Sequence, residues 1–175
     1  GIPGTVGGGV YMNAGAYGSE IKDILREVTF IDDENKLKTL PAEELSLSYR
    51  HSIFIENKGI ILSAKLELSE GNAESIKALM AENAKKRKDK QPLEYPSAGS
   101  TFKRPEGNFA GKLIEDAGLK GLSYNGARVS EKHCGFIIND GTACASDILE
   151  LMKIVEEKVY EASGVHLKPE VQIIL

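Results

Sequence analysis

The stretch Tyr95-Pro-Ser-Ala-Gly-Ser-Thr-Phe-Lys-Arg-Pro105 is the point about which the chain is organised. Pro96 and Pro105 bracket a turn of small residues, and Gly99 frees the backbone immediately before the Ser100 hydroxyl. Lys103 and Arg104 follow it. The run Lys85-Lys86-Arg87-Lys88-Asp89-Lys90 arrives from the N-terminal side, so the hydroxyl lies between two sources of positive charge that suit an anionic ligand. Taken alone, such a segment reads as a proline-bounded surface loop beside a solvated helix end. Its neighbours decide more.

On its N-terminal side a helix is expected from about Ala73 to Lys88, with Asn72 as N-cap, Ile76, Leu79, Met80 and Asn83 on one side, and cations at the favourable C-terminal end. The turn Glu70-Gly71-Asn72 before it is the expected domain boundary. On the C-terminal side, Phe109, Leu113, Ile114 and Ala117 repeat at helical spacing over residues 108–117, and Gly118 is placed for a C′ cap. Residues 127–130 and 135–139 read as short strands. Asp147 and Glu150 suggest a capping box for a third helix, whose apolar stripe (Ile148, Leu151, Met152, Val155, Val159, Ala162) runs to a stop at Gly164. Residues 167–175 read as a terminal strand carrying Glu170 among apolar neighbours, a costly setting for a carboxyl without a partner.

Further upstream, residues 24–31 and 36–40 predict a hairpin across the turn Asp32-Asp33-Glu34-Asn35, followed by a short helix over 42–47. Residues 59–68 alternate: Leu62, Ala64, Leu66 and Leu68 share one face, expected to be buried, and Ser63, Lys65 and Glu67 share the other. Strands in hairpins with helices between them argue an α+β fold.

Composition excludes several classes. With 41% hydrophobic residues and a net charge of -4, the chain has material for a core and no global attraction for nucleic acid or membrane. No apolar run is long enough to span a bilayer, and no signal peptide is evident. Cys134 and Cys144 form neither a C-x-x-C nor a zinc pattern, so a reducing cytoplasm is the default. His51, His133 and His166 lack clustered spacing, and no metal is expected. The opening GIPGTVGGGVYMNAGAYG is dense in glycine without matching a phosphate-loop motif. It interleaves ordered residues with the glycines, unlike a linker. A chain that opens inside such a motif without Met is expected to be part of a longer protein.

Four stretches in one order carry a resemblance: GIPGTVGGGVYMNAGAYG, then LSYRHSIF, then KQPLEYPSAGSTFKRP with FAGKLIEDAGLKG, then VSEKHCGFIIN with a C-terminal PEV. Together they resemble the bacterial UDP-N-acetylenolpyruvoylglucosamine reductases (MurB), in their shorter subclass, over essentially the whole chain. The resemblance implies the end of an FAD-binding subdomain over residues 1–68 and a small α+β UDP-sugar-binding domain over 69–175. It also implies a cytoplasmic, monomeric flavoenzyme of peptidoglycan precursor synthesis, in which NADPH reduces FAD and the flavin delivers hydride to an enolpyruvyl ether. Without the family's upstream flavin segment the chain by itself is expected to be inactive. A non-catalytic UDP-sugar-binding module is the alternative.

The same resemblance assigns roles by residue. Arg50 would hold the substrate carboxylate, Ser100 would donate the proton, and Glu170 would orient or supply it. Gly1, Ile2, Pro3, Gly4, Thr5, Gly7, Gly8, Asn13 and Gly15 correspond to flavin-contacting backbone. Lys90 would meet the UDP pyrophosphate, with Arg87, Tyr95, Gly99 and Arg104 as further substrate contacts. The chain departs from the family pattern at Cys134, where alanine is expected, and at Gln172, where arginine is expected.

Overall fold

A computed structural model describes residues 4–57 and 59–174. The chain divides into two compact units, 1–84 and 85–175, and the division falls inside a helix.

The first unit begins with helix α1 (Val6–Tyr11), which forms despite three glycines because the Thr5 hydroxyl caps it, accepting from the Gly8 N–H at 3.1 Å. A two-residue hairpin follows, β1 (Gly15–Ala16) against β2 (Ser19–Glu20). Its turn residues Tyr17 and Gly18 have φ of 55° and 84°, the mirror-image turn whose twist suits tight hairpins. Strands β3 (Leu25–Ile31), β4 (Leu37–Pro41) and β5 (Ile60–Leu66) make an antiparallel sheet in the order β4-β3-β5. Asp32 shapes the β3–β4 turn by accepting from the backbone of Glu34 at 3.0 Å and Lys36 at 2.8 Å. Val10, Leu25, Val28, Phe30, Leu45 and Phe54 fill the core, with Phe30 and Phe54 edge-to-face at 5.0 Å.

Alternation along β5 does not survive as expected. The ladder pairs Thr29 with Ser63 but Phe30 with Ile61, so Leu62 is an extra residue and the inward phase shifts to Ile61 and Ala64. Leu62 is consequently 53% exposed, Leu66 stands at the last pair of the ladder, and Leu68, 73% exposed, lies beyond the strand. A bulge, invisible to a period-2 count, breaks the inward phase at Leu62, while Ala64 keeps the face expected of it.

Helix α2 (Ala73–Lys90) starts where predicted, with the Asn72 side chain accepting from Ser75 N–H at 3.0 Å. Its expected apolar side is uncovered: Ile76, Leu79 and Met80 are all exposed and no residue of the helix is buried.

In the second unit, β6 (Ser97–Ser100), β7 (Ser123–Tyr124), β8 (Ala127–Val129) and β9 (Phe136–Asn139) form an antiparallel sheet in the order β6-β9-β8-β7. The β7–β8 turn is Asn125-Gly126, with φ of 43° and 88°. Helices α3 (Ala110–Asp116) and α4 (Ala145–Ser163) supply Ile114, Leu151, Val155 and Val159 to a core shared with Phe102, Val129, Ile137 and Leu167.

Three local expectations need correction. Phe109 is 59% exposed, outside the α3 stripe, and lies under the Arg104 guanidinium at 3.9 Å. Helix α4 begins three residues earlier than the Asp147–Glu150 box implied, because Asp147 itself reaches back to the Cys144 N–H at 2.8 Å. Residues 167–174 form no strand, only an isolated bridge between Phe102 and Pro169. Gly118 and Gly164 do end α3 and α4 in left-handed conformations, at φ 71° and 69°.

Candidate functional site

Within the second unit, β6 presents Ser100. Its ladder to β9 is irregular between Ser97 and Ser100, where Gly99 takes φ 84°, a conformation glycine adopts without strain. Ser100 is exposed at the strand end. The next residue anchors it: Thr101 is buried, its N–H donates to the Gly135 carbonyl at 2.8 Å, and its hydroxyl accepts from Ile137 N–H at 3.1 Å. The Thr101 carbonyl accepts from the Glu170 N–H at 2.8 Å, and Lys103 N–H donates to Lys168 carbonyl at 2.8 Å. Ser100 and Glu170, seventy positions apart in sequence, are therefore held on adjacent backbone segments.

Lys90 ends α2 and Arg87 is half-buried one turn earlier. Tyr95 is 40% exposed, with the Arg128 guanidinium 5.7 Å from its ring centre. Arg104 donates to the Asn108 carbonyl at 3.3 Å besides covering Phe109. The sequence reading gave no role to His133. Its Nδ1 accepts from Gly135 N–H at 3.1 Å, and its ring lies so close to Gly111 and Gly135 that a Cβ on either would stand 3.2 or 3.0 Å from Cε1. Desolvation, with the Lys90 charge, lowers the proton affinity of this imidazole. Lysines 88 and 132 border an open depression with Asp89, Leu93 and Glu94.

The first unit holds Arg50 and the glycine segment. Arg50 has φ 53° in a turn closed by two 3.2 Å hydrogen bonds between the backbones of Ser48 and His51. Its guanidinium donates to the Gly15 carbonyl at 2.9 Å and stands 4.9 Å from the Tyr49 ring centre. Gly15 is required by its hairpin: a Cβ there would lie 2.7 Å from Glu20 Cγ. Asn13 is fully buried at φ 44°. Its Nδ2 donates to Glu20 Oε2 at 3.0 Å and to the Ser48 carbonyl at 2.9 Å, while its Oδ1 accepts from Lys22 N–H at 2.9 Å. Gly4, Thr5 and Gly8 are exposed, and nothing lies within 4 Å of where a Gly4 Cβ would be. Gly1, Ile2 and Pro3 lie outside the described residues. Arg50 thus belongs to one unit, and Ser100 and Glu170 to the other.

Glu20 also escaped the sequence reading. The signal was present: the Tyr17-Gly18 turn sets residue 20 opposite residue 15. A hydrogen bond from Lys22 leads the effects that hold its carboxyl below the usual range, and Asn13 and the Arg50 charge add to it. Among the described residues no three His, Cys, Asp or Glu side chains gather as metal ligands, and no helix is long and apolar enough to cross a membrane.

Residues 91–174 match the family defined by the C-terminal domain of UDP-N-acetylenolpyruvoylglucosamine reductase. The chain is 59% identical over 174 residues to the protein of that name from Agathobacter rectalis, an alignment covering 99% of this chain and 55% of that one. It is 55% identical to the reductase of Caldanaerobacter subterraneus subsp. tengcongensis, covering 99% and 58%. The crystal structure of UDP-N-acetylenolpyruvylglucosamine reductase from Thermus caldophilus superposes with a TM-score of 0.86 at 39% identity, covering 98% of this chain and 61% of that one. The chain spans little more than half the length of these curated relatives.

Proposed function

We propose, for a chain whose residues 91–174 match the C-terminal domain family of UDP-N-acetylenolpyruvoylglucosamine reductase, that it forms part of an enzyme reducing UDP-N-acetylenolpyruvoylglucosamine to UDP-N-acetylmuramate for peptidoglycan. In this reading residues 1–68 end the flavin-binding subdomain and 69–175 bind the UDP-sugar, in the cytoplasm. The observation that carries it is the backbone pairing that sets Glu170 beside the strand of Ser100.

FAD, when bound and reduced by NADPH, would supply the hydride. The exposed backbone of Gly4, Thr5 and Gly8 fits a flat ring system, since no side chain fills the space beside Gly4. Hydride arriving at the vinyl carbon of the substrate leaves negative charge on the neighbouring carbon and its carboxylate. That charge needs a fixed cation and a proton donor in place beforehand. Arg50 has the planar fork for a carboxylate, and its tether to Gly15 restricts where the fork can go. Ser100 presents an exposed hydroxyl on a backbone fixed by Thr101. Glu170, on the segment bonded to Thr101, would orient that hydroxyl or resupply its proton. Lys90, with Arg87, Tyr95, Gly99 and Arg104, would bind the nucleotide end.

The test is direct. Full-length, flavin-loaded protein mixed with NADPH and the enolpyruvyl substrate should yield the lactyl ether by mass spectrometry. Flavin reduction by NADPH without product formation would defeat the reading, and UDP binding without either reaction would favour the non-catalytic module.

A further inference from the structure

We propose that Glu20 and Asn13 are positioning residues for Arg50, closing a ring of contacts that fixes where its guanidinium stands. The inference rests on the role given to Arg50 above. Asn13 Nδ2 pins the Ser48 carbonyl at 2.9 Å, which is the first residue of the turn that carries Arg50. The guanidinium at the other side of that turn donates to the Gly15 carbonyl at 2.9 Å. Gly15 is paired with Glu20 across the hairpin, and Glu20 Oε2 accepts from Asn13 Nδ2 at 3.0 Å, which returns the path to its start.

Each member has a reason to be the residue it is. Asn13 makes one acceptor and two donor contacts with a buried side chain, and this set fixes which end of its amide is which. An aspartate there would set an acceptor against the Glu20 carboxylate or the Ser48 carbonyl. Gly15 has no Cβ because one would collide with Glu20 Cγ. Arg50 is a non-glycine residue at φ 53°, a conformation that persists only where surroundings over-determine it. The Glu20 carboxylate also neutralises part of the charge around Arg50, accepting from Lys22 Nζ at 2.8 Å. In this proposal Asn13 and Glu20 are given no direct part in the reaction. They act through Arg50.

The experiment uses the full-length, flavin-loaded enzyme and rapid mixing, which separates flavin reduction by NADPH from reoxidation by the enolpyruvyl substrate. Glu20→Gln keeps an acceptor for Asn13 but loses the charge. It should leave flavin reduction within about twofold and slow reoxidation by about 10- to 100-fold, the scale of a slightly misplaced catalytic group, with the loss in kcat rather than KM. Glu20→Asp, which keeps the charge at shorter reach, should fall between. In an Arg50→Ala background either variant should slow reoxidation no further, because the group they position is gone. Full multiplicative slowing in that background would overturn the inference, as would equal slowing of both half-reactions or loss of flavin. Normal reoxidation by Arg50→Ala alone would overturn the role of Arg50 and this inference with it, and it is read before any double variant is made.

Discussion

The Glu170 N–H donates to the Thr101 carbonyl at 2.8 Å, which fastens the C-terminal segment alongside the strand that ends in Ser100. Thr101 is buried and bonded through its N–H, its hydroxyl and its carbonyl, so it is the fixed point from which both neighbours project. A hydroxyl and a carboxyl on facing backbones can share a proton only if their spacing is set by something rigid. Here β6 belongs to a four-stranded sheet, and the backbone of residue 170 is tied to the residue that follows β6 by that hydrogen bond.

Gly126 is the position in the second unit where a methyl group should do most harm. A Cβ there would meet Thr142 Oγ1 at 2.1 Å and Asp140 Oδ1 at 2.7 Å, and φ is already 88°. Gly126→Ala should destabilise the unit by about 2–4 kcal/mol through strain and overpacking together. Gly118 has φ 71° but nothing within 4 Å, so Gly118→Ala should cost only about 1–2 kcal/mol, the left-handed penalty alone. Urea unfolding of the two variants compares them, and equal losses would contradict the packing shown around Gly126.

Acid should weaken folding through the aspartates. Ion pairing with Lys38 at 2.6 Å, then the Lys36 N–H, holds the Asp32 carboxyl below its ordinary value. Thr142 and Cys144 do the same for Asp140 and Asp147. A lowered folded-state value means that the unfolded chain takes up the proton first. This stabilisation is complete above the ordinary carboxylate pKa of about 4 and disappears as pH falls through the lower folded-state values. Melting temperature followed from neutral pH into acid should therefore fall, and Asp32→Asn should flatten the part of that fall due to the first unit.

How much of this could be read in the chain depended on whether a signal was local. Gly118 and Gly164 were legible as helix ends because a left-handed C′ residue is a one-residue property. The α+β class followed from local periods in the same way. Along β5 the inward place of Ala64 was legible but the outward turn of Leu62 was not, because the bulge there exists only in the register with β3, a strand distant in sequence. The Asn125-Gly126 dipeptide is a hairpin signal in itself, but β7 is only two residues long and leaves little strand pattern beside it. At the candidate site, motif order named Arg50, Ser100 and Glu170, but nothing in their spacing shows that Thr101 joins two of them or that Glu20 steadies the third. Those links are tertiary hydrogen bonds.

Lys90 is expected to contribute a charge-assisted contact to the diphosphate. Lys90→Ala in the full-length protein should weaken UDP binding by about 1.5–3 kcal/mol at low salt. The difference should shrink as ionic strength rises, because the lysine ends an exposed helix. Calorimetric titration with UDP at two salt concentrations measures both effects, and unchanged affinity at low salt would remove Lys90 from the site.

Ser100 gives the sharpest test of the mechanism. Under the proposed mechanism its hydroxyl is needed only after hydride has reached the substrate, so Ser100→Ala in the full-length, flavin-loaded enzyme should leave flavin reduction by NADPH nearly unchanged. Reoxidation by the enolpyruvyl substrate should slow by about 100- to 10,000-fold, the usual loss with a general acid. A serine that merely shaped the end of β6 would cost far less, because Thr101 and Gly99 hold the backbone there without it. Ser100→Cys keeps a transferable proton at nearly the same place and should recover part of the rate. Gly99→Ala supplies the contrast: its φ of 84° penalises any side chain, so it should move the hydroxyl and slow reoxidation while Ser100 itself is intact. Equal slowing of both half-reactions, or a Ser100→Ala enzyme that reduces substrate normally, would leave the Tyr95–Pro105 loop with a binding role alone.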